Sequence, residues 1–170
     1  MHHRRSVRLK DYDYSQEGAY FVTVSAHNRE CLFGDVVNEK MRLSPVGQIV
    51  RDEWLRTESI RRDVTMDEFV VMPNHLHGII CIRRGTLQRA PTVERFGKPA
   101  SDSLPTIVRL FKSATTKRVN ILRNMPGTPV WQRNYYEHII RDEDDLNRIS
   151  QYIQDNVLQW VYDKENPINL

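Results

Sequence analysis

Two histidines flank a single residue, His75-Leu76-His77, inside an otherwise apolar run from Phe69 to Ile80. In extended backbone the side chains alternate, so both imidazoles leave on one side and Leu76 on the other. Two imidazoles projecting together from a rigid strand begin a divalent-metal site. Such a site needs a third ligand, and a catalytic one needs a group for the metal to activate. Spacing alone also admits a plainer reading, two core histidines bonded to backbone groups.

A candidate for both missing parts lies near the C-terminus. Leu146, Ile149, Ile153, Val157 and Trp160 recur at helical spacing, and Tyr152 and Asn156 fall about 40° apart on one edge of that stripe. As an i, i+4 pair they can face one point where the helix meets a sheet. A tyrosine hydroxyl, with a pKa near ~10, is a poor nucleophile by itself. It becomes competent beside a phosphate that a metal polarises and orients. The Asn156 amide oxygen could be the third ligand, and two imidazoles with one oxygen suit Mg²⁺ or Mn²⁺ with open positions. Otherwise Tyr152 is a packing tyrosine. Tyr135 and Tyr136 are rival nucleophiles, but they lack a helical ligand partner, and stacking on a base or plain packing suits them better. Glu137 and His138 could support the site or simply pair at a strand edge.

These residues need elements to hold them. Tyr20 to Ser25 reads as a strand, Cys31 to Val37 with Lys40 to Leu43 as a hairpin, and Ser44-Pro45 as a helix start. Val64–Met72 and Leu76–Ile82 read as adjacent strands joined at Pro73-Asn74. Leu104 to Asn124 is the clearest helix, with Leu104, Val108, Phe111, Val119 and Leu122 along one side. Tyr136 to Arg141 reads as a last strand, and the acidic run 142–145 opens the final helix. The order is βαββαβα with the hairpin inserted. Its core is a split βαβ pattern, an α+β fold with helices on one face of an antiparallel sheet.

At 170 residues the chain suits one domain, 1–170, able to bury a core without disulfides. No apolar run approaches the ~20 residues that span a bilayer. The basic N-terminus has no apolar segment behind it, which excludes a secretory signal and favours a cytoplasmic protein. Cys31 and Cys81 match no zinc or redox spacing and read as buried thiols. A net charge of +3 is too small to indicate nucleic acid by itself. Clustering is more telling. Arg109, Lys112 and Arg123 share a helix face, Lys117 and Arg118 flank it, and a loop at 83–103 adds four arginines. The stripe is either a solvated surface or a phosphate-tracking one. Residues 1–17 read as a basic arm.

Three segments, in order, carry a family likeness: Val71 to His77, Trp131 to Arg141, and Tyr152-Ile153-Gln154-Asp155-Asn156. They resemble the signatures of the single-tyrosine HUH endonucleases and, more narrowly, of the REP-associated tyrosine transposases. The resemblance runs from about Gly18 to Trp160. It implies a ferredoxin-like sheet and a metal held by His75, His77 and Asn156. Tyr152 would attack a phosphate of single-stranded or hairpin DNA, leaving a 5′-phosphotyrosine and a free 3′-OH. Homodimer and monomer both stay open, since related insertion-sequence transposases exchange the tyrosine helix and the REP-associated branch is expected to act as monomers. One departure is Val157, where the family usually has proline, and the helix is expected to run on toward Trp160. The competing class is a non-catalytic single-strand binder on the same fold. A third reading is a phosphodiesterase that uses water.

Overall fold

The dense β-branched and aromatic run after Gly18 supplies the strand on which the sheet is built. A computed structural model describes residues 12–83 and 102–169. In chain order they form β1 (Gly18–Ser25), β2 (Gly34–Val37), β3 (Lys40–Leu43), α1 (Pro45–Ser59), β4 (Val64–Val71), β5 (His75–Ile82), α2 (Leu104–Arg123), β6 (Tyr136–Ile140) and α3 (Glu143–Asp155). Four strands make one antiparallel sheet in the order β4-β5-β1-β6. With β2 and β3 set aside as a separate hairpin, this is the ferredoxin-like split βαβ arrangement. The Asn38-Glu39 loop closes that hairpin, both residues adopting the positive φ that a tight two-residue turn requires.

The sheet's two faces are covered by different helices. Tyr20, Val22, Val24, Leu76 and Ile80 point to one side, where they pack with Val50 and Trp54 of α1 and Leu104, Val108, Phe111 and Val119 of α2. Ser44 starts α1 by accepting a hydrogen bond from the Gly47 amide. Trp54 packs close against β5 at Gly78, which has no side chain. A Cβ there would meet Trp54 Cζ2 at 2.4 Å. On the other side Phe21 and Ile79 pack with Ile149 and Ile153 of α3.

Several expectations are corrected. Leu122 is 52% exposed, because the end of α2 runs past the core, and Thr115 is buried on the helix instead, its hydroxyl bonded to the Phe111 carbonyl. Cys31 is exposed where the chain passes between the turn at His27–Arg29 and the hairpin, while Cys81 is half-buried. The final helix ends at Asp155 rather than running on to Trp160. Tighter bonds, Asn156 N–H to the Ile153 carbonyl and Trp160 N–H to the Val157 carbonyl, break the α ladder. A 3₁₀ turn at Trp160–Tyr162 follows. The expected arm, 1–17, includes Tyr14, which is buried in the main core and accepts from the Leu104 amide through its carbonyl. Residues 1–11 of that arm, and 84–101 of the expected loop, lie outside the described residues. Among the described residues no helix is long and apolar enough to cross a membrane.

Candidate active site

Register decides what faces the histidines. Thr23 pairs with His77 and Ser25 with His75, so both imidazoles stand on the α3 face with the Thr23 side chain beside them. Both are buried, and their ring centroids lie 4.4 Å apart. Phe21 stacks on His77 at 5.5 Å. Each ring is held by its Nδ1: that of His77 lies 2.8 Å from Thr23 Oγ1, and that of His75 2.9 Å from Asn74 Oδ1. The Nε2 atoms are left for the site.

The helix α3 crosses this face on Ile149 and Ile153, which sets its roll and brings Tyr152 and Asn156 to the histidines. The Tyr152 hydroxyl is 3.3 Å from His77 Nε2, while the ring stays 47% exposed. Asn156, the capping residue just past the helix, is buried and lies against both Tyr152 and His75. Its Oδ1 has no hydrogen-bond partner, and neither does His75 Nε2. Two buried, unsatisfied acceptor positions in one small space are costly unless something binds there.

Asp163 completes the cluster. Its Oδ2 lies 3.7 Å from His75 Nε2, and donor atoms of His75, His77 and Asp163 all fall within 4.8 Å of one another. The sequence reading missed this residue. On a continued helix it would stand about 10 Å beyond Asn156 along the axis. The tightened turns after Asp155 fold it back instead.

Burial pushes both imidazole pKa values well below the usual histidine value, with the His75 ring adding to the effect on His77 and the Asp163 carboxylate opposing it at His75. Both rings are therefore neutral at pH 7, the form that ligates metal. Burial raises the Tyr152 phenol; Asn156 opposes this, and Asp163 and Glu165 add to it. Without a bound cation the tyrosine is a phenol, not a phenolate.

Tyr136 also reaches this face, opposite Thr23, with its ring 6.2 Å from Phe21 and half exposed. Tyr135 does not: it precedes β6 and packs against the main core. His138 Nε2 lies 2.7 Å from Asp145 Oδ2, joining β6 to the first turn of α3, and this contact, ahead of that with Arg148, holds the Asp145 carboxyl below its usual value. The basic stripe sits elsewhere, since α2 covers the opposite face. There Lys112 donates to the Gln132 and Arg133 carbonyls, and Arg118 Nη1 lies 2.8 Å from the buried Glu53. Arg109 and Lys117 are exposed, and Arg123 is partly so.

No family model matches the chain. An uncharacterised protein of Haemophilus influenzae is 44% identical over 172 residues, spanning 96% of this chain and 93% of that one. The chain belongs to one family with it. Among solved structures, a REP-associated tyrosine transposase bound to a REP hairpin superposes with a TM-score of 0.63 at 20% identity, covering 92% of this chain and 76% of that one. The likeness to REP-associated tyrosine transposases read from the sequence therefore holds at the level of the fold.

Proposed function

We propose that this protein is a transposase-type enzyme that nicks and rejoins single-stranded or hairpin DNA in the cytoplasm, using a divalent metal and a covalent tyrosine intermediate. The observation that carries this reading is the Tyr152 hydroxyl, poised 3.3 Å from His77 Nε2 above a buried set of N and O donors. The donors fit Mg²⁺ or Mn²⁺: two neutral imidazoles, the orphaned Asn156 oxygen and the Asp163 carboxylate. Asp163 joins His75, His77 and Asn156 as a further ligand in this proposal. When bound, the metal polarises a DNA phosphate and fixes its orientation.

The remaining steps belong to the chain's own groups. Tyr152 Oη attacks phosphorus in line, the P–O3′ bond breaks, and the phenol proton passes to solvent while the departing 3′ oxygen is protonated. The product is a 5′-phosphotyrosine and a 3′-OH, which conserves the bond energy for rejoining. Tyr152 is 47% exposed, which leaves part of its side chain open to an incoming strand. Tyr136 and Phe21 offer aromatic surface beside it on which a flanking base can stack. The DNA held by the structurally similar transposase agrees in kind with such a substrate.

The test incubates the protein with a pool of hairpin-bearing single strands and Mn²⁺ and reads intact mass. A covalent adduct is expected, and none with Tyr152→Phe. Binding without adduct or cleavage would instead mark a single-strand binder. Cleavage without adduct would mark a water-using phosphodiesterase.

A further inference from the structure

Asn74 is the most heavily committed polar side chain near the site, and no part of the chemistry above uses it. It is 1% exposed, and its amide makes three hydrogen bonds. Nδ2 donates to the Arg29 carbonyl at 3.0 Å and to the Glu165 carbonyl at 2.7 Å, while Oδ1 lies 2.9 Å from His75 Nδ1. Carbonyls only accept, so the two on the Nδ2 side allow one orientation of the amide. A flipped amide would set its oxygen against both carbonyls. The group facing His75 is therefore an acceptor, and the imidazole must answer it with a proton on Nδ1. That leaves the lone pair on Nε2, the buried nitrogen with no hydrogen-bond partner that faces Asp163.

The two histidines differ here. The partner of His77, Thr23 Oγ1, can donate or accept, so it places that ring without dictating its tautomer. Of this pair, His75 is the ring whose protonation site is dictated by the neighbour at its Nδ1. The same amide also ties the backbone of Glu165, two residues past Asp163, to the strand that carries both histidines.

We propose that Asn74 is a positioning residue: it locks His75 in the Nδ1–H tautomer, with Nε2 presented as a ligand, and anchors the turn that delivers Asp163. This rests on the metal reading proposed above. A side chain that orients a ligand from behind typically changes metal affinity by about 10–100-fold when removed.

The first measurement needs no variant. Long-range ¹H–¹⁵N correlation spectra of the metal-free native chain should show His75 with a protonated Nδ1 and an unprotonated Nε2. Nε2–H, or an averaged mixture, overturns the proposal. Mn²⁺ titration then separates the two ideas. A native chain that binds no Mn²⁺ overturns the metal reading itself, whereas one that binds Mn²⁺ with His75 as Nε2–H overturns only the role of Asn74. Asn74→Ala should release the tautomer and lower Mn²⁺ affinity about 10–100-fold. Asn74→Asp keeps an acceptor for Nδ1–H but loses both donors. It should hold the tautomer but, with the tie to the Glu165 backbone gone, recover only part of the affinity and melt earlier. Equal loss of affinity in both variants with the tautomer unchanged reduces Asn74 to a structural role and overturns the proposal.

Discussion

The central strands carry opposite chemistry on their two faces, one residue apart. On the α1/α2 side, Leu76 and Ile80 join an aromatic and aliphatic core in which Trp54 and Phe111 meet edge to face at 5.3 Å. On the α3 side, His75 and His77 sit under one helix, beside a smaller apolar patch whose buried members are Phe21, Ile79, Ile149 and Ile153. The first face is largely apolar and covered by two helices that also pack on each other. The second holds two clustered acceptors without a hydrogen-bond partner, His75 Nε2 and Asn156 Oδ1, whereas the unpaired polar groups in the first are single indole N–H groups of Trp54 and Trp131. Apolar burial of the first kind supplies stability that the second can forgo, so the site can keep unsatisfied groups ready for a ligand.

This contrast can be broken most directly by exchanging the readouts. His77→Ala should abolish nicking, a loss of at least about 10³-fold, while costing about 1–3 kcal/mol of stability, since it removes two hydrogen-bonded contacts and one small buried ring stacked on Phe21. Chemical denaturation beside the adduct assay checks both numbers, and a large stability loss would sink the division of labour. Trp54→Ala should behave oppositely, losing about 3–5 kcal/mol by leaving a cavity against the sheet. Per folded molecule it should still bind Mn²⁺.

Gly78→Ala sharpens the comparison, because this residue sits one position from His77 yet faces the other way. Its new Cβ meets the Trp54 ring, and a loss of about 1–3 kcal/mol is expected with the histidine geometry retained. A histidine spectrum that moves as much as the melting temperature would show the faces to be coupled. The smallest effect concerns pH. Burial holds both imidazoles below the usual value, so protons compete with metal only once the pH falls through those lowered values. Mn²⁺ affinity should therefore change less than about threefold between pH 7.5 and 6.0. An ordinary pair titrating near ~6.5 would lose about tenfold over the same interval. Isothermal titration at the two pH values decides between them.

Much of this was legible in the chain alone, for reasons of period and capping. Alternation told the two faces of β5 apart, so the shared direction of His75 and His77 followed from local geometry. The Ser44-Pro45 start of α1 and the i, i+4 relation of Tyr152 and Asn156 are likewise short-range properties. The stripe on α2 was less legible: Lys112 and Arg118 read as free surface cations because nothing local announces the Gln132 and Arg133 carbonyls or the Glu53 carboxylate. Leu122 read as core because periodicity reports which face a residue shares, not where its neighbour ends.

By itself the sequence determined the element order, the pairing of the two histidines on one face and the helical pairing of Tyr152 with Asn156, because each depends on backbone geometry over a few residues. Tertiary structure decided the rest. It set α3 on the histidine face through Ile149 and Ile153, broke the helix after Asp155, and folded Asp163 back to within 3.7 Å of His75. Those outcomes depend on packing and hydrogen bonds between residues as far apart as Asn74 and Glu165, and no local period encodes such contacts.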